Sequence, residues 1–140
     1  MSFDRRPAKE SPFEAANFVD SVTATIGAEV ANVINVALVA KDPNNRAIPG
    51  SSSRTGPSRL ACYLSDDAAG QVQATVTPTT VAIGTNGLLL SVTTGLVFDL
   101  ITTAAGLVDI NITKNSAHTY YLQIVLPSGN IQTVGPIALT

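Results

Sequence analysis

Short runs in which apolar and polar residues alternate recur along most of the chain, and turn-forming residues separate them. In the run 32–41 the residues Ile34, Val36 and Leu38 share one parity, and in the run 107–113 Val108 and Ile110 do the same. A period of two is typical of a β-strand with one buried face. Roughly eight or nine such runs, at the spacing expected of a sandwich or barrel, predict an all-β fold with short antiparallel strands.

The turn signals divide the chain into predicted strands. These cover residues 32–41, 59–65, 71–77, 79–83, 88–93, 96–102, 107–113, 119–126 and 131–140, the last divided near Gly135-Pro136. Residues 84–87 end in Asn-Gly, which tolerates positive φ and predicts a hairpin. The stretch 49–57 is rich in Ser, Gly and Pro without periodicity and predicts a long exposed loop.

The first 28 residues differ from the rest and predict an N-terminal arm, which leaves residues 29–140 as the β-sandwich domain. Ser11, Pro12 and Glu14 match the beginning of a short helix, with a capping residue, a first-turn proline and a glutamate three residues after the cap. The arm also carries apolar side chains that a solvated tail seldom has. We expect four of them to contact a partner: Phe13, Phe18, Val19 and Val22.

Charge is concentrated in the first half of the chain. Residues 1–70 carry fifteen of the eighteen charged residues, and residues 71–140 carry only Asp99, Asp109 and Lys114. The apolar runs are too short to span a membrane, and no basic cluster offers the phosphate neutralisation on which nucleic-acid binding depends. Outward strand faces of Thr, Asn and Gln leave the strand edges weakly protected against pairing. The pattern therefore predicts lasting contact with other subunits.

No set of residues with a catalytic or metal-binding spacing is recognisable. His118 is the only histidine and has no identifiable nucleophile beside it in the sequence. Asp66-Asp67 lacks the remaining ligands of a calcium loop, and Asp99 and Asp109 form a carboxylate pair only if the fold brings them together. We predict a protein that is not an enzyme, with no catalytic, cofactor-binding or metal-binding residues and no cofactor.

Two further residues have a predicted role. Cys62 alternates with Leu60 and Leu64, which predicts a buried thiol, and a single cysteine makes no internal disulfide. Tyr121 lies on the outward parity of its strand, and tyrosine is enriched at protein interfaces. We therefore add Tyr121 to the expected interaction residues.

The size, the layout and two stretches, 34–43 (INVALVAKDP) and 125–131 (VLPSGNI), resemble those of the small cement, or capsid decoration, proteins of tailed-bacteriophage heads. The resemblance covers roughly residues 30–140. It implies a jelly-roll β-sandwich that is made in the host cytoplasm, binds the outer surface of the capsid in the virion and bridges subunits of the major capsid protein. It also implies a homo-oligomer, for which we favour a dimer over a trimer.

An alternative remains open at this stage. Immunoglobulin-like modules have similar strand and turn runs, and exposed loops on a rigid scaffold often carry recognition. The chain is then an immunoglobulin-like sandwich on a phage tail or a cell surface, where it recognises a glycan or a receptor.

Overall fold

The computed structural model describes residues 19–42 and 57–140 of the 140-residue chain. In these residues the regular secondary structure is entirely β. Nine strands follow one another: β1 (Ser21–Ile26), β2 (Val33–Lys41), β3 (Arg59–Ser65), β4 (Thr80–Ile83), β5 (Leu88–Thr93), β6 (Val97–Ile101), β7 (Leu107–Thr113), β8 (His118–Val125) and β9 (Ile131–Leu139). The predicted all-β class is confirmed.

The strands form two antiparallel sheets that enclose one hydrophobic core. The four-stranded sheet has the order β1-β2-β7-β4, and the five-stranded sheet has the order β5-β6-β3-β8-β9. Alternate residues of each strand supply the core: Val36 on β2, Leu64 on β3 and Ile124 on β8 are all fully buried. Two sheets that share a core in this way form a β-sandwich, as the period-two pattern predicts.

The strand order bears on the type of sandwich. In one sheet, β1, β2 and β7 lie side by side in the same order as strands A, B and E of an immunoglobulin sandwich. In the other sheet, β3, β8 and β9 lie side by side in the same order as strands C, F and G. β4 lies beside β7 in the place of strand D, and β6 and β5 extend the other sheet beyond β3, although here β4 precedes them in the chain. This order favours the immunoglobulin-like alternative, and it does not confirm the jelly-roll type.

The segment 71–77 is predicted as a strand, and this prediction is wrong. Gln73 makes only an isolated bridge to Ser65. The carboxylates of Asp66 and Asp67 accept hydrogen bonds from three backbone N–H groups of the segment. Because these donors are bonded to side chains of the preceding turn, they do not join the ladder of a neighbouring strand.

The predicted hairpin at residues 84–87 is also wrong. β4 belongs to the four-stranded sheet and β5 to the five-stranded sheet, so this segment carries the chain from one layer to the other. Gly87 does have the positive φ, +94°, that the Asn-Gly signal predicts. The local backbone conformation was therefore predictable, whereas the sheet that the next strand joins was not.

The ends of the sandwich domain differ from their predicted bounds. Residues 21–26, assigned to the arm on sequence, form β1 and pair with β2 along its length. The last strand is continuous, with a register shift opposite Tyr120 to Leu122 in place of a division. The predicted helix near Ser11 lies outside the described residues, as does the predicted loop 49–57 apart from Pro57.

Side chains close the sandwich where β1 and β9 run side by side at the edges of the two sheets. The amide of Gln132 on β9 accepts a hydrogen bond from the backbone N–H of Val22 at 2.9 Å and donates one to the carbonyl of the same residue. Near the end of β9, Glu29 accepts hydrogen bonds from the backbone N–H and the hydroxyl of Thr140. The amide of Gln132 therefore satisfies the backbone N–H and carbonyl of Val22, which a neighbouring strand would otherwise do.

Candidate functional site

The outward face of β5 carries three large apolar side chains that are exposed to solvent. Leu88, Leu90 and Val92 have 62%, 54% and 69% of their surface accessible. The strand alternates regularly up to Ser91, after which Val92 and Thr93 together oppose Val97 in a bulge. Single exposed apolar residues are common on proteins, but a contiguous group indicates an interaction surface.

Strand pairing extends this apolar surface across the whole five-stranded sheet. Directly opposed residues form one row over five strands, in the order Leu90, Asp99, Ala61, Val125 and Ile131. Ile131 is 50% exposed and Val125 is 36% exposed. We call the apolar members of this surface the outer patch: Ala61, Leu88, Leu90, Ile101, Val125 and Ile131.

One ion pair lies within the outer patch. The guanidinium of Arg59 on β3 donates a hydrogen bond of 2.8 Å to the carboxylate of Asp99 on β6. Ion pairs at such exposed positions contribute only about 0–1 kcal/mol to stability. Because the pair neutralises the one carboxylate of the row, the surface that includes the outer patch carries no net charge there.

The other end of the same sheet face is covered by the chain's own turn at residues 66–70. Gln123 is fully buried beneath it, and its amide donates to the hydroxyl of Ser65 and accepts from that of Thr133. The hydroxyl of Tyr63 donates to the carbonyl of Gly70 at 2.7 Å. The five-stranded sheet thus has one closed end with satisfied polar groups and one open apolar end.

The outer face of the four-stranded sheet has a different chemistry. Asn35 donates through its amide nitrogen to the carboxylate of Asp109 and to the side-chain oxygen of Asn111, each at 2.8 Å. The rest of this face consists mainly of Thr, Ala and Val. The Thr, Ser and Asn side chains of this face match the polar faces predicted from the sequence, but Asp109 and Lys41 add charges to it, and the outer patch is apolar.

Asp109 is a structural carboxylate. It is only 7% exposed and accepts hydrogen bonds from the backbone N–H groups of Thr85 and Asn86 as well as from Asn35. Desolvation is the largest single influence and favours its neutral form, but these hydrogen bonds together outweigh it and hold the pKa of Asp109 below its ordinary value. Asp99 lies in the other sheet, so the fold does not bring the two carboxylates together as a pair.

His118 begins β8, one residue before the predicted start of that strand, and has a carboxylate partner that sequence spacing did not identify. Its Nε2 lies 2.9 Å from Oδ1 of Asp66, whose other oxygen accepts from the N–H and hydroxyl of Thr75. The hydrogen bond from the hydroxyl of Thr75 is the main reason that the pKa of Asp66 is lowered, and the bond to His118 adds to it against desolvation.

The imidazole of His118 also contacts the ring of Tyr120, with 4.4 Å between the ring centroids. Burial, and secondarily the charge of Asp66, raise the pKa of the Tyr120 hydroxyl to about 12. That hydroxyl donates to the carbonyl of Val76. The contact between His118 and Asp66 connects β8 to the segment that follows β3. In the described part of the chain, no hydroxyl or thiol is hydrogen-bonded to the other ring nitrogen of His118, so no nucleophile is positioned beside it.

The residues predicted to contact a partner fall into three groups. Phe13 and Phe18 lie outside the described residues. Val19 and Val22 are each 3% exposed and pack in the core of the sandwich, so their contacts lie within the chain. Tyr121 points outward from β8 but lies against Gly135 of β9, where a Cβ atom would be 2.9 Å from its ring.

The outer patch itself was missed on sequence, although a signal was present. One predicted strand contains three consecutive apolar residues, Leu88, Leu89 and Leu90. Because successive side chains of a strand point to opposite faces, at least one of these residues must face outward whichever face is buried. Leu89 is the one that packs against the core. Apolar residues on both faces of a strand therefore indicate that one apolar face is exposed on the surface.

Other candidate sites are not assembled. Across residues 19–42 and 57–140, no three His, Cys, Asp or Glu side chains are grouped so as to hold a metal ion. Cys62 is buried, as predicted, and its thiol donates to the carbonyl of Leu60. No helix in the described residues has the length and hydropathy needed to cross a membrane.

Comparison with known proteins gives no relative. No protein-family model matches the chain, and neither a curated protein nor a solved structure matches it. The interpretation of its function therefore depends on the surfaces described above.

Proposed function

We propose that this protein is a capsid cement subunit, a structural protein of a phage virion that binds the outer surface of the head and bridges subunits of the major capsid protein. The observation that carries the proposal is the outer patch, whose exposed apolar side chains extend across the five-stranded sheet from Leu90 to Ile131. A surface of this kind loses water when a partner covers it, and that loss supplies the main driving force of most protein association.

The energetics suit a subunit that is repeated on a shell. Burial of apolar surface contributes about 25 cal/mol per Å², and a standard interface covers about 800 Å² of each partner. Association entropy offsets much of this free energy, so one copy on one contact binds only moderately. A subunit that bridges two neighbours has a second contact at high effective concentration, which raises its avidity without any new chemistry.

The neutral character of the outer patch also fits this function. Arg59 and Asp99, which lie among its members, neutralise each other, and the members themselves carry no charge. A capsid surface that meets this patch needs no complementary charge cluster, and salt has little effect on a contact of this type. We also propose that residues 1–18, which include Phe13 and Phe18, contact a neighbouring subunit.

The decisive experiment measures binding to purified capsid shells that lack the protein, by co-sedimentation over a range of concentrations. Ile131→Lys removes an apolar side chain from the outer patch and adds a charge, so we expect affinity to fall at least about tenfold, given about 1.5–3 kcal/mol for a buried aliphatic side chain. Thr23→Lys adds the same charge on the exposed surface of β1 and is the matched control.

Two results would contradict the proposal. One is that shells do not retain the wild-type protein, and the other is that Ile131→Lys and wild type bind shells equally. Binding that is lost equally in both lysine variants would point to a general effect of charge and would also count against the outer patch.

A second candidate function is supported by the strand order. The arrangement of β1-β2-β7 and β3-β8-β9 follows that of immunoglobulin-like sandwiches, which favours a binding module on a phage tail or a cell surface that recognises a glycan or a receptor. Fold alone does not assign function. Gold labelling of whole particles separates the two proposals, because the cement subunit is located on the head and the binding module on the tail or the cell envelope.

A further inference from the structure

β5 is the last strand of the five-stranded sheet, and its outer edge differs from the edges on the opposite side of the sandwich. There, the Gln132 amide satisfies the backbone of Val22 on β1. Among the described residues, β5 pairs with β6 alone, and no side chain is hydrogen-bonded to its other edge. A free edge of this kind presents backbone donors and acceptors in the spacing that another β-strand requires.

The edge also lacks the charges that natural proteins use to prevent pairing. No Lys, Arg, Asp or Glu occurs anywhere from residue 71 to residue 98, which includes all of β4 and β5. The bulge at Val92 is the one protective feature, and it affects only the end of the strand. Two copies of this edge therefore meet without repulsion between like charges, whereas a partner strand of strong charge would find no complement here.

We propose that two copies of this chain associate through their β5 edges, in antiparallel orientation about a two-fold axis. A two-fold contact uses the same residues from both copies, which is the commonest form of self-association. The uncharged β5 edge suits the same edge of a second copy as its partner, because neither edge carries a charge that would repel the other. The two five-stranded sheets then become one continuous sheet.

The side chains determine the register. Opposed residues of an antiparallel pair point to the same face, so an outward residue of one copy must oppose an outward residue of the other. The register that brings the three exposed apolar side chains of each copy together places Leu90 opposite Leu90 of the second copy. Leu88 then opposes Val92 of the second copy, and these side chains cover one another on the outer face.

This pairing does not depend on the proposed capsid function. A two-fold axis perpendicular to the sheet turns both outer patches to the same side, so the dimer would present one surface of twice the width. Ile131, at the far end of each patch, stays outside the contact because four other strands separate it from the β5 edge. The lysine variant at Ile131 that tests capsid binding should therefore still dimerise.

The experiment combines solution mass with disulfide trapping. Light scattering of the full-length protein should give twice the chain mass of 14.4 kDa, and Leu90→Lys should lower the mass to that of one chain, while Val30→Lys should leave the dimer intact. Val30 is the matched control because it is 71% exposed and lies outside the sheets. Circular dichroism confirms that each variant is folded.

Trapping tests the edge and its register. Under mild oxidation, Leu90→Cys should form a covalent dimer, whereas Val30→Cys and the wild type, whose single thiol Cys62 is buried, should not. A mixture of Leu88→Cys and Val92→Cys chains should form mixed disulfides at least tenfold faster than Leu88→Cys alone, because residues at position 88 are about 13 Å apart along the strands in this register.

The proposal is overturned if the wild-type protein is a single chain at its highest soluble concentration. It is also overturned if a dimer persists in Leu90→Lys, or if Leu90→Cys is not trapped while the dimer forms. Loss of capsid binding with an unchanged dimer would contradict the proposed function and leave this inference standing. A dimer that is trapped while the protein does not bind shells would likewise contradict the proposed function and support this inference.

Discussion

Both carboxylate oxygens of Asp109 lie 3.0 Å from the backbone nitrogen of Thr85, so a side chain on β7 holds the segment that carries the chain from β4 to β5. The same carboxylate accepts the N–H of Asn86 at 2.7 Å and the amide of Asn35 at 2.8 Å. One nearly buried acid thus anchors the corner where the chain leaves one sheet and enters the other. β5, with its exposed apolar side chains, begins directly after this corner.

Replacing Asp109 with asparagine should destabilise the protein. The new NH₂ group would face N–H donors at a position where an acceptor is needed, and an unsatisfied buried group costs about 1–3 kcal/mol. Urea unfolding measures the loss as a lower midpoint at an unchanged slope. Asp99→Asn is the control, because it removes the same charge from an exposed ion pair and should change stability by less than about 1 kcal/mol. Equal effects would refute the anchoring role.

The anchoring carboxylate also predicts the direction of the pH dependence of stability. The pKa of Asp109 is lower in the folded protein than its ordinary value of 3.8, and that of Asp66 is lowered as well. Below 3.8 the unfolded chain binds protons before the folded one, so the free energy of unfolding should fall as pH decreases through the folded-state pKa values. Asp109→Asn should flatten this decrease. A wild-type protein that keeps its full stability well below pH 3.8 would contradict the prediction.

Gly84→Ala tests the packing around the same corner. A Cβ atom at residue 84 would lie 2.0 Å from Oδ2 of Asp109, so the carboxylate or the backbone must move. We expect a loss of about 1–3 kcal/mol, typical of overpacking in a tight site. Gly27→Ala is the matched control, because its nearest neighbour, the carbonyl oxygen of Asn35, is 3.3 Å away and needs to shift only slightly to admit a Cβ atom. Thermal unfolding of the two variants should separate them clearly, and a Gly84→Ala variant as stable as wild type would be incompatible with the close contact.

Truncation should distinguish the arm from the sandwich. Deletion of residues 1–18 leaves Val19 and Val22 in the core and should preserve a cooperative unfolding transition, with weaker binding to capsid shells if the arm contributes to the proposed function. Deletion of residues 1–28 removes β1 and exposes the edge of β2, which pairs with it from residue 36 to residue 41. The longer deletion should therefore abolish cooperative unfolding in circular dichroism. A stable, folded product of the longer deletion would show that β1 is dispensable.

The buried thiol gives an independent probe of unfolding. Burial, with a smaller effect from the charge of Asp99, raises the pKa of Cys62 well above its ordinary value, so the reactive thiolate is scarce in the folded protein. A thiol reagent should label Cys62 only as fast as the protein opens, and urea should accelerate labelling in step with unfolding. Val30 is 71% exposed and lies outside the sheets, so a Val30→Cys thiol in the same chain should react at once. Rapid labelling of Cys62 in the native wild type would refute its burial.

Strands whose two faces differ in polarity were predictable from sequence. On β2, β7 and β8 the apolar parity is buried and the other parity is mostly polar or small, so local alternation and tertiary burial agree. The segment 71–77 shows the limit of this reasoning. Its Val72, Ala74 and Val76 alternate with polar residues, as in a strand. The carboxylates of Asp66 and Asp67, however, accept hydrogen bonds from its backbone. Such bonds do not alter the apolar periodicity, so the sequence pattern does not reveal them.

The candidate site was less predictable than the fold. Sequence reasoning chose Val19 and Val22 because they are apolar in an otherwise polar segment, and both proved to be core residues. It did not choose Leu88 or Leu90, since an apolar residue in a strand is expected to be buried. The direction in which an apolar side chain points depends on which sheet its strand joins, and that information is not local.

The sequence by itself determined the class of this protein: period-two alternation and regularly spaced turns require short strands, and strands with one apolar face must bury it against another layer. Only the tertiary structure decided that the chain changes sheets at residues 84–87 and that Asp109 holds it there. It also decided that Leu88 and Leu90 lie on an open surface. The physical reason is that alternation is a property of neighbouring residues, whereas the pairing of strands and the closing of corners depend on contacts between residues far apart in the chain.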